Sequence, residues 1–183
     1  MLIRTHAAFL HGIEGGGRRL TMEELRVSLA RLGYEGVATW RDTGDIAFAT
    51  DPDADAALLE RRIGDALEDE FGWPVSAIVR TAAHVLVIAT DVPFSAAQVE
   101  VTAGRVQVVF VRDEPAPESI VEVMALATDE DELQWTGREL WWLPRGEVGD
   151  SRLRVHHLEG VLGVVTARSH RSVTGLLARH LAP

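Results

Sequence analysis

One order of elements, written twice, constrains this chain more than any other feature. An apolar strand pattern over Leu2–Leu10 leads to a helix with Thr21 as N-cap and Glu24 three residues on, the spacing of a capping box. Met22, Leu25, Leu29 and Leu32 share one face of that helix, and Gly33 ends it. Gly36–Arg41 and Ile46–Thr50 read as a hairpin around Asp42-Thr43-Gly44-Asp45. A helix then opens at Asp51-Pro52, carries Leu59, Ile63, Leu67 and Phe71 at i, i+4 spacing, and stops at Gly72. Val75–Arg80 is a fourth strand. Thr81 caps a helix over residues 82–90, and Pro93 marks its exit.

The second half follows suit. Val106–Val111 is a strand, and Pro115-Ala116-Pro117 opens a helix carrying Ile120, Val123, Met124 and Ala127. Asp129-Glu130-Asp131-Glu132 reads as a solvated turn before a hairpin, Leu133–Trp135 and Leu140–Leu143, around Thr136-Gly137-Arg138. Ser151 is placed to cap a helix with Leu153, Leu158, Val161 and Leu162; Val164–Ala167 is a strand, and Ser172 is placed to cap the last helix. The fourth strands leave alike, through Val79-Arg80-Thr81 and Ala167-Arg168-Ser169. The expected class is therefore α+β: two ferredoxin-like (βαββαβ plus α) subdomains, residues 1–92 and 93–183, related by duplication. Residues 91–105 are the expected connector.

Composition bounds the function. The chain has 183 residues and a net charge of −10, shared as −6 and −4 between the halves. A duplex-binding surface needs a basic excess to displace counterions, so no nucleic-acid partner is expected. RNA binding in the manner of ferredoxin-like domains would need aromatics on the central strands in a basic setting, and only Phe9 and Phe48 stand there. No apolar run approaches a membrane span and no signal peptide leads the chain, so no membrane partner and a cytoplasmic location are expected. Cysteine is absent, which removes disulfides, thiolate metal sites and a cysteine nucleophile. Lysine is absent too, so side-chain contact with an anion falls to arginine.

The stretch from Gly12 to Gly17 has the Gly-x-x-x-x-Gly spacing of a phosphate loop, but Arg18 and Arg19 stand where Lys and Ser/Thr would serve a nucleoside triphosphate and Mg²⁺. What survives is a glycine-rich approach to a helix N-terminus with two arginines, a setting that suits an anion. Glu14, Asp42 and Asp45 would form a carboxylate group if the hairpin tip lies beside this loop. The seven histidines show no metal-ligand spacing, His156 and His157 being adjacent on a helix and pointing to different sides; neither a metal nor a cofactor is expected. His11, at the strand-to-loop junction, is the one retained. Trp141 and Trp142 must face opposite sides of their strand, one in the core and the other at a partner or ligand surface, so a homodimer stays open.

In these residues taken together, the chain resembles a bacterial family, domain of unknown function 1697. The resemblance runs through Phe9-Leu10-His11-Gly12-Ile13-Glu14-x-Gly16-Gly17, Met22-x-x-Leu25, Thr43-Gly44-Asp45-x-x-Phe48, Phe71-Gly72, Val79-Arg80-Thr81, Gly149-Asp150-Ser151-Arg152-Leu153 and Arg168-x-x-x-x-Val173-Thr174. It implies a cytoplasmic protein of two ferredoxin-like halves with no established activity, cofactor or catalytic residue. The family pattern carries arginine at the position of His11, asparagine at Glu14 and lysine at Arg152, so several polar positions differ here.

The preferred functional expectation is a small polar or anionic ligand in a cleft between the subdomains. His11, Gly12, Glu14, Gly16, Gly17, Arg18, Arg19, Asp42, Thr43, Asp45, Arg152 and Arg168 are its candidate contacts. Two alternatives stand beside it. One is an enzyme acting on a nucleotide or phosphate ester, with His11 and Asp42 or Asp45 as acid and base. The other is a protein-interaction module using the tryptophan hairpin.

Overall fold

The computed structural model describes residues 3–181. The first strand is β1 (His6–His11); its expected start at Leu2 lies outside the described residues. Where an open glycine loop was expected, two short strands pair: β2 (Glu14–Gly15) with β3 (Arg18–Arg19), Glu14 opposite Arg19 and Gly15 opposite Arg18. Gly16 and Gly17 make the turn at φ +56° and +80°, the left-handed pair whose twist matches antiparallel strands. The capping box of α1 (Met22–Arg31) forms in both directions. Glu24 N–H donates to Thr21 Oγ1 at 3.2 Å, and Thr21 N–H donates to Glu24 Oε2 at 2.8 Å.

β4 (Glu35–Trp40) and β5 (Asp45–Ala49) are the expected hairpin. The next helix, α2 (Ala56–Phe71), begins later than Asp51-Pro52, with Asp55 as N-cap. Asp51 instead closes a turn on itself, its Oδ1 accepting from Asp53 N–H at 3.0 Å and its carbonyl from Ala54 N–H at 3.0 Å. A side chain that satisfies the backbone locally competes with helix initiation, and the helix waits for Asp55. Gly72 ends α2 at φ +83°. Then come β6 (Ser76–Thr81) and α3 (Ala82–Thr90), with Thr81 Oγ1 accepting from His84 N–H.

The sheet runs β4-β5-β1-β6, antiparallel throughout. Ala8, Leu10, Phe48 and Val79 from its strands meet Leu25 and Leu29 of α1 and Leu59, Ile63 and Leu67 of α2 in one apolar cluster. The stripes at helical and strand spacing are thus the buried faces, and their removal from water is the main source of stability.

In the expected connector, Ser95 and Gln98 form a second capping box and open α4 (Ala96–Val101). β7 (Gln107–Val111) is followed by α5 (Pro117–Met124), with Pro117 in the first turn, then by β8 (Asp131–Thr136) and β9 (Glu139–Pro144). A single 3₁₀ turn, Val148–Asp150, precedes α6 (Val155–Leu162). β10 (Val165–Ser169) leads into α7 (His170–Leu176), which ends in a π-helical turn, Leu177–Leu181. The second sheet runs β10-β7-β9-β8, again antiparallel, over a cluster of Val109, Val111, Val123, Leu140, Trp142, Leu158 and Val165.

Several expectations give way here. Asp131 is not in a solvated turn: it is the first residue of β8 and 3 % exposed. Ser151 does not cap α6, whose N-cap is Arg154, because its hydroxyl is turned to Asp131. Ser172 lies inside α7, and Ser169 Oγ accepts the Ser172 N–H. Trp141 and Trp142 do take opposite faces of β9, yet both are buried, so neither is left at a surface.

The chain divides into two compact units. One comprises residues up to Ile88 together with those from Thr174 on; the other is Ala89–Val173. This is a mixed α/β chain of two antiparallel four-stranded sheets with helices, and among the described residues no helix is long and apolar enough to cross a membrane.

Candidate functional site

Ten of the twelve sequence candidates gather at one end of the first sheet. The C-terminal end of β1 lies beside the β4–β5 turn, where Leu10 N–H donates to Gly44 O at 3.2 Å, and beside the start of β6, where His11 faces Ser76. Trp73, in the loop between α2 and β6, ties this end together. Its Nε1 donates to Gly12 O at 3.0 Å, and its indole lies so close under the small hairpin that a Cβ at Gly15 would overlap it. Gly12 itself, at φ +80°, would place a Cβ 2.8 Å from Pro74 O. The glycines therefore let backbone approach a tryptophan and a neighbouring loop, which no spacing rule reports. A tryptophan between a helix-ending glycine and a proline was the available signal.

The arginines of this end are engaged. Arg18 donates to both oxygens of Glu24, at 2.8 and 3.1 Å, and its guanidinium lies 5.5 Å from the ring centroids of Phe71 and Trp73. The Thr21 N–H and then this guanidinium hold the Glu24 carboxyl below its ordinary range. Arg19 donates to Asp42 O at 2.6 Å and stands between the carboxylates of Glu14 at 3.6 Å and Asp42 at 4.0 Å. The two acids do approach one another's loop, with a guanidinium between them. Asp45 is fully buried at the head of β5 and accepts from Thr43 Oγ1 at 2.9 Å. At the α1 N-terminus behind the loop, the Glu24 N–H is drawn to Thr21 Oγ1 and the Thr21 N–H to Glu24 Oε2.

Arg152 and Arg168 belong to the second unit, at the end of its sheet where β9 finishes and β8 begins. Arg168 is in β10 beside the start of β7, with Nη1 donating to Thr166 Oγ1 at 2.7 Å and to Ala167 O at 2.9 Å. Arg152 lies in the loop between β9 and α6. There it lines a cavity of about 480 Å³ with Thr128, Glu130, Asp131, Gly146, Glu147 and Ser151. Of the twelve candidates it alone does so.

Asp131 is the residue that sequence reasoning missed. Its register partner is Pro144, so the start of β8 and the end of β9 meet at the cavity wall. Trp142 Nε1 donates to its Oδ1 at 2.7 Å, and Ser151 Oγ lies 2.8 Å from each carboxylate oxygen. The same hydroxyl accepts Leu153 N–H at 2.9 Å, which sets the loop into α6. Glu147 at the rim is paired with Arg105 at 2.7 Å. Only the tryptophan on β9 facing an acid eleven positions away along the hairpin hints at this in the sequence, and the pairing depends on register.

His156 and His157 are exposed at the start of α6 with ring centroids 4.1 Å apart, rather than on different sides. Among the described residues no group of three or more His, Cys, Asp or Glu side chains is arranged to hold a metal ion. Phe9 and Phe48 are fully buried and present no face for stacking a base.

Comparison with known proteins bears on the family and the fold. No curated protein matches the chain. Among solved structures it is similar to the conserved bacterial protein SP0830 from Streptococcus pneumoniae, at a TM-score of 0.73 and 19 % identity over 97 % of this chain and 100 % of that one. At that identity the likeness speaks for the fold alone. The family model described as protein of unknown function matches residues 3–141, which includes the glycine hairpin, all four strands of the first sheet, β7 and β8 of the second, and Asp131. The chain thus belongs to the DUF1697 family.

Proposed function

We propose that this protein is a binding protein for a small polar ligand, built from two ferredoxin-like subdomains (1–92 and 93–183) related by duplication. The duplication reading is supported by the strand order. Numbered within its own sheet, each runs second, third, first, fourth strand or its reverse. It is supported again at the exits: Arg80 and Arg168 are both buried, each donates to the carbonyl of the residue before it at 2.9 Å, and the following hydroxyl caps the next helix.

The observation that carries the binding reading is the 480 Å³ cavity of the second unit, a volume in the range of small-molecule pockets, with a buried carboxylate in its wall. Its lining holds Asp129, Glu130, Asp131, Glu147 and Asp150 against Arg152, a balance that favours a ligand bearing a positive group. Arg152 is the sequence candidate carried forward. Arg18 and Arg19, held by Glu24, Glu14 and Asp42, are assigned to joining the loops of the first unit.

A thermal-shift screen tests this with nucleotides, phosphosugars, amino acids, amines and divalent cations, run on the native chain and on Gly146→Phe. Gly146 lines the cavity and a Cβ there meets nothing within 4 Å, so the backbone admits a large side chain at the cavity wall. The expected result is stabilisation of the native chain by one class and none of the variant. Stabilisation that survives in Gly146→Phe, or the absence of any, overturns the reading.

A further inference from the structure

We infer that the ligand is a small zwitterion of the α-amino-acid class, its ammonium on Asp131 and its carboxylate on Arg152; this rests on the binding reading above. The argument begins with charge that has no counterpart. Asp131 is 3 % exposed, and its side-chain partners are Trp142 Nε1 and Ser151 Oγ, both neutral. The serine hydroxyl has one proton and lies 2.8 Å from both oxygens, so it serves one at a time, and among the described residues Oδ2 has no other donor. Among the described residues no Arg, His or Lys nitrogen comes within 4.0 Å of this carboxylate. A buried carboxylate is ordinarily paired with a cation, because neutral donors replace only part of the hydration it gives up.

The opposite vacancy stands on the same wall. Arg152 makes no hydrogen bond and no ion pair among the described residues, although Asp150 and Glu130 line the same cavity. Other arginines around it are taken: Arg105 by Glu147, Arg145 beside Glu132, and Arg154 by the carbonyl of Gly149. Asp131 and Arg152 line one hollow, and among the described residues no ion pair joins them. A molecule with an ammonium at one end and a carboxylate at the other supplies both counter-charges at once.

The rest of the lining sharpens the choice. The exposed carboxylates of Asp129, Glu130 and Asp150 repel a plain anion, and Arg152 repels a plain cation. An arginine fork accepts a carboxylate through two parallel N–H bonds, which fixes orientation as well as charge. A divalent ion would need oxygen ligands from several acids converging, and no such group is formed among the described residues.

Calorimetric titration of the full chain with each proteinogenic α-amino acid tests the inference. Any amino acid that binds is followed by two analogues, its decarboxylated amine and its N-acetyl derivative. The expected result is binding of the parent and about a tenfold or greater loss with each analogue, since each lacks one charge. Arg152→Gln, an exposed position whose replacement leaves the fold intact, is expected to weaken the parent at least as much and to leave the amine unchanged. Asp131→Asn is expected to weaken parent and amine alike, its folding checked by circular dichroism. Equal binding of parent and analogues, or unchanged binding in Arg152→Gln, overturns the zwitterion inference. A phosphosugar or nucleotide that binds the native chain and not Gly146→Phe leaves the cavity reading standing and ends this one. If no probe of any class binds, both fall.

Discussion

His6 opens β1 with its ring stacked on Phe48, centroids 5.8 Å apart, its Nδ1 at 2.9 Å from Thr5 Oγ1 and its Nε2 buried without a partner among the described residues. Burial pushes its pKa below 6.5, while Asp51 pulls it part of the way back. The unfolded chain therefore takes up a proton at a pH where the folded chain refuses it. Stability present above pH 6.5 is lost as the pH falls below that value toward the depressed folded pKa. His180, lowered by burial and then by Arg4 and Arg179, acts with the same sign. Urea midpoints should fall between pH 8 and pH 5, and His6→Phe should flatten part of that fall while costing little at pH 8. A second residue-scale prediction concerns Gly15. Any side chain there meets the Trp73 indole, so Gly15→Val should cost about 1–3 kcal/mol, the usual range for forcing atoms into filled space, read as a lower urea midpoint.

At the scale of elements, the ends of helices were readable because their chemistry is local. A hydroxyl and a glutamate three residues apart satisfy each other's backbone wherever they occur, and the Thr21–Glu24 box formed as its spacing implied. Gly72 ended α2 for an equally local reason, the positive φ that a side chain resists. Where locality misled, two local solutions competed. Asp51 and Asp55 both suit a helix start, and the turn closed by Asp51 left the cap to Asp55. The strand exits offer a direct measurement. Thr81 and Ser169 accept N–H bonds from His84 and Ser172, so Thr81→Ala and Ser169→Ala should each cost about 1 kcal/mol of unfolding free energy. Equal costs would indicate that the two exits are doing the same job; a silent variant would place that cap elsewhere.

For the whole molecule, the informative segment is the last one. Residues from Thr174 on belong with the first unit, although the chain reaches them only after the second. Gly175 permits the approach: a Cβ there would stand 2.5 Å from Trp40 Cζ2, and the His180 ring meets the same indole edge-on at 6.0 Å. Arg4 adds bonds to the carbonyls of Gly36 and His180. This docking covers part of β4, an edge strand whose unpaired backbone would otherwise be open to another chain. Gly175→Val should destabilise the first unit by about 2 kcal/mol, and removal of residues 174–183 should do so further, with a change in Trp40 fluorescence as the readout. Fluorescence and stability both unchanged in the valine variant would show that the contact contributes nothing.

Read alone, the sequence determined the strands of the two four-stranded sheets and most of the helices, the caps at Thr21 and Thr81, and the family, since each depends on neighbours a few residues apart or on the pattern as a whole. It named Arg152 but not what stands beside it. The burial of Asp131, the closure of the glycine stretch over Trp73 and the seating of both Trp141 and Trp142 inside were decided by tertiary structure. Each depends on which strand lies next to which and in what register, and a single slipped residue would turn those same side chains to the other face. Spacing along a chain records what a segment prefers; the meeting of residues far apart is settled only when the whole core closes.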